Sequence, residues 1–494
     1  MDQFIRISPT DNVAVALVAI EKGTPVTVDG MTLTARTDIP AGHKMALRDI
    51  ARDEKVIKYG FPIGYAKENI AQGSHVHVHN LHTALSGTLD YTWHPTHPHL
   101  APQESETFMG YPRRSGRVGI RNELWIIPTV GCVNDIARSM ERASQDLVGD
   151  GVEAILAFSH PYGCSQMTED QENTRKILAD LCMHPNAGGV LLLGLGCENS
   201  GIDIIKQYLE ENGCERIRFL ICQQVEDEME AGLQLISELA EEMRGDRRVP
   251  CPASELVVGL KCGGSDGFSG ITANPVIGAF SDQLVARGGS TILTEVPEMF
   301  GAETILMNRC EDEETFEKTV RLINDFKQYF EDHHQTIYEN PSPGNKAGGI
   351  STLEDKALGC TQKSGTAPVS DVLPYAGRVT RKGLNLLSAP GNDLVAATAL
   401  ASAGCQLVLF STGRGTPFAS PVPTLKIASN PRLAAFKKRW IDFAAGRLLE
   451  EDTTLEELGK ELYRLVLEVA SGKKVCSEEH GFHDLAIFKS GVTL

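Results

Sequence analysis

Short apolar runs separated by glycine and aspartate dominate the first part of the chain. NVAVALVAI, TPVTV, MTLTAR and KVIKYG are brief and rich in β-branched residues, and turn-forming residues interrupt them at close intervals. Little of this region has the period of an amphipathic helix. The pattern therefore predicts a small β domain over residues 1–92.

The pattern of apolar positions changes twice after that domain. The stretch YTWHPTHPHLAPQESE is rich in proline, histidine and polar residues and has no apolar period, which predicts a linker over residues 93–119. From about residue 120, apolar runs of five to seven residues alternate with helical stretches such as NDIARSMERASQDL. This alternation predicts parallel sheets with helices on both faces, divided near RRVPCPA into α/β domains at 120–249 and 250–494.

Composition and charge narrow the class of protein. The 494 residues carry a net charge of −18, which argues against a nucleic-acid partner or an anionic membrane surface. The apolar runs are too short to span a bilayer, and the start MDQFIRISPTDN lacks the pattern of a secretory signal. Twelve cysteines in so long a chain do not resemble a secreted disulfide framework. We therefore expect a cytoplasmic protein that binds no membrane.

Four cysteines stand where predicted strands end. They are Cys132, Cys164, Cys197 and Cys262, and small or polar residues follow each of them. Loops at the carboxyl ends of parallel strands form the ligand-binding edge of such sheets, and thiolates favour soft metals and iron. These four thiols could converge on one metal ion or iron–sulfur centre. Four unrelated buried cysteines remain an equal alternative, because no CxxC pair is present among them.

Three glycine-rich polar loops are further candidates for a binding site. KCGGSDGFSGITANP contains Ser265 and Asp266, PGNKAGG contains Asn345 and Lys346, and STGRGTP contains Arg414. Glycines let the backbone approach a ligand closely, and arginine suits bidentate binding of a carboxylate. Tight turns are the alternative for any one of these loops. GLGCEN only begins like a dinucleotide fingerprint, so a nicotinamide-dependent oxidoreductase has weak support.

The small β domain has a histidine pattern of its own, HVHVHN. In a strand, alternate residues share a face, so His75 and His77 are expected to point in the same direction. His43, in PAGHK, is a further candidate. Such imidazoles can share a metal or surround a polar ligand, although histidines on a solvated edge strand would have the same pattern.

The chain resembles the altronate/galactarate dehydratase family over essentially its whole length. The resemblance implies a multidomain protein with an N-terminal β-clip (SAF-like) domain, a linker, a middle α/β domain that forms a homodimer, and a C-terminal Rossmann-like α/β domain. Within the family, the chain resembles the altronate dehydratases more than the galactarate dehydratases, because it has the HVHVHN run and a cysteine at position 360. The matching motifs include AGHKMALRDI, HVHVHN, RNELWIIPTVGCVN, HPYGCSQ, CGGSDGFSGITANP, NPSPGNKAGGI, FSTGRGTP and LAIFKSGVTL.

The activity implied by this resemblance is the dehydration of altronate to 2-dehydro-3-deoxygluconate in hexuronate catabolism. The implied cofactor is Fe²⁺, as a single ion or an iron–sulfur cluster, with Mn²⁺ as a substitute. Proton transfer and electrostatic stabilisation of the intermediate need an acid, a base and a Lewis acid. A galactarate dehydratase, a related hydroxy-acid lyase and a non-catalytic sugar-acid-binding protein remain alternatives.

Roles for individual residues follow from the implied reaction. The small domain is expected to act as a lid that delivers its histidines to the large domain, with a small-molecule sugar acid as the partner. The candidates for proton transfer are His160, Lys346 and His43. The candidates for substrate binding are His75, His77, Ser265, Asp266, Asn345 and Arg414.

Overall fold

The computed structural model describes residues 3–211, 213–214, 216–450 and 452–494. Its first part is a β domain, as predicted, and includes the antiparallel sheet β1-β2-β5-β8, the hairpin β3-β4 and the sheet β6-β7-β9. Buried and exposed residues alternate along β3, so one face lies in the core. The strands are β1 (Phe4–Ile5), β2 (Val13–Ala16), β3 (Pro25–Val28), β4 (Met31–Thr34), β5 (Lys44–Ala46), β6 (Lys55–Lys58), β7 (Phe61–Ala66), β8 (His75–Val76) and β9 (Leu81–His82).

The predicted linker is more ordered than its composition indicates. Its first half lies along the C-terminal domain, where the Thr96 amide donates to the Asn308 carbonyl and the Gln103 amide donates to the Ala286 carbonyl, both at 2.8 Å. Its second half forms strands β10 (Thr107–Pro112) and β11 (Val118–Gly119), which pair with each other. The prediction of a linker through residue 119 is therefore wrong for this second half. Its backbone groups form hydrogen bonds with other strands and not with water.

The middle domain is built on a parallel four-stranded sheet. Its strand order is β13-β12-β14-β15, and apolar side chains fill both of its faces. Such burial on both faces explains why its strands read as continuous apolar runs. The elements are β12 (Glu123–Pro128), α1 (Asn134–Ala143), β13 (Ile155–Ala157), α2 (Thr168–Cys182), β14 (Ala187–Gly194), α3 (Ile202–Ile205), β15 (Ile217–Ile221) and α4 (Glu228–Met243).

The C-terminal domain contains a parallel seven-stranded sheet with the order β19-β20-β18-β17-β21-β22-β23. The short strand β16 (Val249–Pro252) precedes this sheet and pairs with β10. The elements after it are β17 (Val257–Cys262), α5 (Ala273–Ala286), β18 (Ser290–Leu293), α6 (Glu303–Met307), α7 (Glu313–Asp332), α8 (Pro343–Ala347), α9 (Leu353–Cys360), β19 (Val369–Leu373), β20 (Gly383–Leu387), α10 (Asp393–Ser402), β21 (Leu407–Thr412), β22 (Thr424–Ala428), α11 (Pro431–Phe436), β23 (Phe443–Ala444), α12 (Leu455–Ala470) and α13 (Cys476–Glu479).

This strand order confirms the Rossmann-like, doubly wound α/β fold. The chain continues from β17 towards one side of the sheet and later crosses to β21 on the other side. Open α/β sheets bind ligands beyond the carboxyl ends of the strands at such a switch point. The loops after β17 and β21 are therefore expected to form the ligand-binding edge of this sheet. In the part of the chain that the structure describes, no helix has the length and apolarity needed to cross a membrane.

Candidate active site

The three glycine-rich polar loops predicted from the sequence meet at the switch point. The Gly264 carbonyl accepts hydrogen bonds from the amides of Gly413 at 3.1 Å and Arg414 at 3.0 Å, which joins the loops after β17 and β21. The third loop, at α8, is joined by the Asn345 side chain, which donates to the Ser265 carbonyl at 2.8 Å. These hydrogen bonds hold all three loops at one edge of the sheet.

Two predicted substrate ligands serve to hold these loops together. The half-buried Asp266 carboxylate accepts hydrogen bonds from the hydroxyls of Ser269 and Ser429 and from the side-chain amide of Asn430. The Asn345 side chain is buried and is also bonded within the protein. Asp266 and Asn345 therefore hold the loops together, and their contact with substrate stays a prediction.

Ser265 and Arg414 keep the capacity to bind a ligand. The Ser265 hydroxyl is buried and has no hydrogen-bond partner within the described residues, and such a group costs free energy unless a ligand or water satisfies it. Ser265 lines a narrow cavity between the β domain and the C-terminal domain. The Arg414 guanidinium is exposed at the same edge and donates to the Gly344 carbonyl at 3.2 Å. Both side chains remain candidates for substrate binding.

The β domain docks directly on the switch-point loops through glycine. A Cβ atom on Gly267 would lie 2.0 Å from the Gly42 carbonyl oxygen, and one on Gly349 would lie 2.2 Å from the same atom. The backbones can approach this closely only because neither position carries a side chain. Apolar residues of both domains, including Val13, Ala357 and Leu358, form a shared core beside this contact.

A buried ion network strengthens the docking of the β domain. The Asp355 carboxylate at the start of α9 lies between Lys44 at 2.8 Å and Lys58 at 3.0 Å, and all three side chains are almost fully buried. Burial opposes ionisation of Asp355, but the two ammonium groups outweigh it and lower the pKa of this carboxyl. Burial lowers the pKa of Lys44 to about 8. The predicted lid is therefore seen docked on the large domain.

Docking brings three histidines together at the domain interface. His43 Nδ1 lies 3.0 Å from His75 Nε2, and the His43 and His77 ring centroids are 4.8 Å apart. One nitrogen from each of the three rings lies within 4.8 Å of the others. The C-terminal domain supplies further contacts, because His43 lies 3.3 Å from the Ala347 carbonyl and His77 lies 3.1 Å from the Ser351 hydroxyl.

The histidine segment departs from the predicted strand without losing its common face. Pairing ends at Val76, and a turn follows in which Asn80 accepts from the His77 amide at 2.9 Å. The His75 and His77 rings nevertheless stack with centroids 5.5 Å apart, as the alternation predicts. His79, the third histidine of HVHVHN, is exposed. The alternative of a solvated histidine face therefore fits His79 but not His75 or His77.

The three imidazoles are held in the neutral form that binds metals. Burial lowers the pKa of His43, and it lowers the pKa of His75 to about 4 and that of His77 to about 3. The charge of Lys44 adds to the effect on each ring. Neutral imidazole is a common ligand for iron and zinc. The donor atoms, their spacing and their protonation state therefore fit a divalent metal ion.

A second compact cluster lies beneath the loop after β17. The Cys262 sulfur is 3.0 Å from Glu298, 3.5 Å from the Cys360 sulfur and 3.0 Å from the Lys363 ammonium, and Lys356 pairs with Glu298 at 2.6 Å. The hydrogen bond with Cys360 lowers the pKa of Cys262. Two ammonium groups already neutralise these acidic ligands, so the cluster is a poorer fit to a cation than the three histidines.

The four cysteines predicted to form one centre lie in two places. Cys262 is buried at the end of β17 in the C-terminal sheet, whereas Cys132, Cys164 and Cys197 are exposed at the edge of the middle sheet. Cys262 therefore does not share one centre with the other three, and it stays a predicted metal ligand only beside Glu298 and Cys360. Similar strand-end positions in sequence belong here to two different sheets, which apolar periodicity cannot distinguish.

His160 and Lys346, both predicted to transfer protons, have different surroundings. His160 is buried in the middle domain, where its Nε2 lies 2.7 Å from the Pro128 carbonyl and its Nδ1 accepts from the Tyr162 amide at 3.2 Å. Both ring nitrogens are engaged, so His160 positions its loop and is not retained as a catalytic candidate. Lys346 is half-buried on α8, next to Ala347, which contacts His43.

Sequence reasoning missed several residues of this site. Lys44, Lys58, Asp355 and Ser351 gave no motif signal, because the contact between Lys44 and Asp355 joins positions 311 residues apart. Lys44 lies in AGHKMALRDI, but only the family resemblance marks that segment. The strand pattern did contain a signal, since Lys44 begins β5 and Lys58 ends β6, next to apolar strand residues, and a buried lysine needs a counterion.

The fold and the site define a class of proteins in which a small β-clip domain covers the switch point of a doubly wound α/β domain. Three family models match successive parts of the chain. The altronate/galactarate dehydratase SAF domain matches residues 2–84, the D-galactarate dehydratase/altronate hydrolase second domain matches 110–244, and the D-galactarate/altronate dehydratase C-terminal domain matches 253–493.

Comparison with individual proteins agrees with these matches. The altronate dehydratases of Bacillus subtilis (strain 168) and Escherichia coli (strain K12) are each 55% identical to the chain, over 100% of both sequences. The galactarate dehydratase (L-threo-forming) of Escherichia coli (strain K12) is 34% identical over 98% of this chain and 96% of its own length. The chain belongs to the D-galactarate/altronate dehydratase family.

Proposed function

We propose that the protein is a hydro-lyase that converts D-altronate to 2-dehydro-3-deoxy-D-gluconate in hexuronate catabolism. The observation that carries this proposal is the group His43, His75 and His77, which the β domain holds against the switch-point loops. The higher identity to two altronate dehydratases than to a galactarate dehydratase supports altronate as the substrate. The reaction removes the proton at C2 and the hydroxyl at C3, and the resulting enol rearranges to the ketone.

The three histidines are the proposed ligands of Fe²⁺, with Mn²⁺ as a substitute. Their neutral rings and close spacing match what such an ion needs. When bound, the ion supplies Lewis-acid stabilisation of negative charge on the substrate. The carbonyl of Ala347 and the hydroxyl of Ser351 hold two of the rings in position from the C-terminal domain.

The remaining polar groups bind and orient the sugar acid. The Arg414 guanidinium is proposed to bind the carboxylate, for which its planar fork is suited. The unpartnered Ser265 hydroxyl is proposed to bind a substrate hydroxyl. Lys346 is the candidate for proton transfer, because His160 has both nitrogens engaged and His43 belongs to the histidine group.

Location and assembly belong to the same proposal. The cytoplasm suits a protein in which no disulfide joins the described cysteines.

We also propose that the protein forms a homodimer through the middle domain. Light scattering of the purified protein tests this proposal, and a monomeric mass would contradict it.

Altronate should be turned over at least about 100-fold faster than galactarate, measured as kcat/KM, because discrimination by polar contacts in a site commonly reaches this size. The measurement uses anaerobic protein with Fe²⁺ and follows the 2-keto-3-deoxy product without added nucleotide. Equal turnover of both acids would contradict the substrate assignment. Tight binding of altronate without product would show a sugar-acid-binding protein instead.

A further inference from the structure

The exposed cysteines of this chain are confined to one edge of the middle domain. Cysteine is among the residue types that are most often buried, and the other nine cysteines here are buried or half-buried. Cys132, Cys164 and Cys197 alone are exposed. They follow β12, β13 and β14, which are adjacent strands with the order β13-β12-β14, so all three lie beyond the carboxyl edge of one sheet.

Direct backbone contacts hold the three cysteine loops together. The Gly131 amide donates to the Tyr162 carbonyl at 3.0 Å, and the Ser200 amide donates to the Gly163 carbonyl at 3.0 Å. A Cβ atom on Gly163 would lie 2.0 Å from the Thr129 carbonyl oxygen, so these loops are packed backbone against backbone. Each of these contacts lies within three residues of one of the cysteines.

The surroundings of the thiols suit an anionic cofactor. Helix α1 begins shortly after Cys132 and α2 begins shortly after Cys164, so the positive ends of two helix dipoles lie at this edge. The Cys164 thiol donates to the Asn199 side chain at 3.1 Å, and the Gln223 amide lies 3.7 Å from the Cys197 sulfur. These groups leave the sulfurs accessible from solvent.

We propose that Cys132, Cys164 and Cys197 hold a [4Fe–4S] cluster through three thiolates and leave one iron free for an oxygen ligand. Among the described residues, the groups of three potential ligands within 4.8 Å of one another are found elsewhere, so these thiols lie too far apart for a single bare ion. A four-iron cluster bridges a wider gap and is bound by cysteine thiolates. The site is separate from the histidine group and goes beyond the proposed dehydration.

The fourth strand of the sheet supplies an internal contrast. Cys222 follows β15 at the same edge, but it is buried among apolar residues. Burial raises the pKa of Cys222 to about 11, so it stays a thiol. The structure thus assigns three ligands and not four. Three cysteine ligands predict a four-iron cluster in which one iron has no thiolate ligand from the protein.

The test reconstitutes the full-length protein anaerobically with Fe²⁺ and sulfide and measures iron, acid-labile sulfide and visible absorption. The wild type should retain about four irons with about four sulfides per chain, and dithionite should bleach the colour. Cys132→Ala, Cys164→Ala and Cys197→Ala should each lose most of the sulfide and colour. The matched control Cys214→Ala, in the same domain, should retain both, and circular dichroism checks that each variant is folded.

Three outcomes would overturn the cluster proposal. The first is a wild type that takes up no sulfide, including one that binds a single iron or zinc. The second is full retention of sulfide by any of the three alanine variants. The third is loss of the colour in His77→Ala, which would place the chromophore at the histidine group. Turnover of altronate is a separate readout, so a failed cluster would leave the proposed dehydration untouched.

Discussion

Replacing His77 by alanine should lower kcat/KM for altronate by roughly 1,000-fold, because loss of a metal ligand removes several kcal/mol of transition-state stabilisation. His77 lies against Ser351 of the C-terminal domain and its ring is neutral, so its removal takes one nitrogen from the proposed metal site. The same variant should bind Fe²⁺ or Mn²⁺ much more weakly. Steady-state kinetics and metal titration of the anaerobic protein check both expectations.

His79→Ala is the matched control for this substitution. His79 belongs to the same histidine-rich segment but is exposed, and the turn after β8 does not depend on its side chain. It should retain activity within a few-fold of the wild type, since changes at exposed positions have small effects. A His77→Ala enzyme with near-normal turnover, or equal losses in the two variants, would show that the histidines only support the fold.

Replacing Asp355 by asparagine should cost about 3–5 kcal/mol of unfolding free energy, because it leaves two buried ammonium groups without their counterion. Lys44 and Lys58 contact this carboxylate from the β domain, and all three side chains are almost fully buried. Urea denaturation gives the change in free energy, and limited proteolysis reports whether the β domain has come away from the C-terminal domain.

Asp53→Asn provides the control for the ion network. Asp53 is also in the β domain, but its side chain is 76% exposed beside Arg52, and an exposed pair contributes little. Its loss should change stability by less than about 1 kcal/mol. A similarly small effect of Asp355→Asn would mean that burial of this network does not hold the domains together.

The sequence predicted the architecture well because local patterns carry it. Alternation of apolar runs with helical stretches indicated the two parallel-sheet domains, and the short β-branched runs indicated the β domain. The region 107–119 was not predicted as strand because β10 pairs with β16, which is far away in sequence, and β11 pairs only with β10. Pairing over such a distance leaves no periodic signal in so short a segment.

The site could be predicted only in part, for related reasons. His75 and His77 share a face, as alternation along the strand predicts. Asp266 lies at the predicted loop, but only the folded structure shows that Ser269, Ser429 and Asn430 occupy its carboxylate. Residue type identifies a group that can bind a ligand, whereas long-range packing decides which partners that group already has inside the protein.

Pulsed electron paramagnetic resonance of the Mn²⁺-loaded protein tests the histidine site most directly. Mn²⁺ reports nitrogen ligands without forming an iron–sulfur cluster. The account predicts one tightly bound Mn²⁺ per chain with imidazole nitrogen couplings that are lost in His43→Ala and His77→Ala and kept in His79→Ala. Tightly bound Mn²⁺ without nitrogen couplings, or couplings that survive both substitutions, would contradict a metal site at the interface of the β-clip and C-terminal domains.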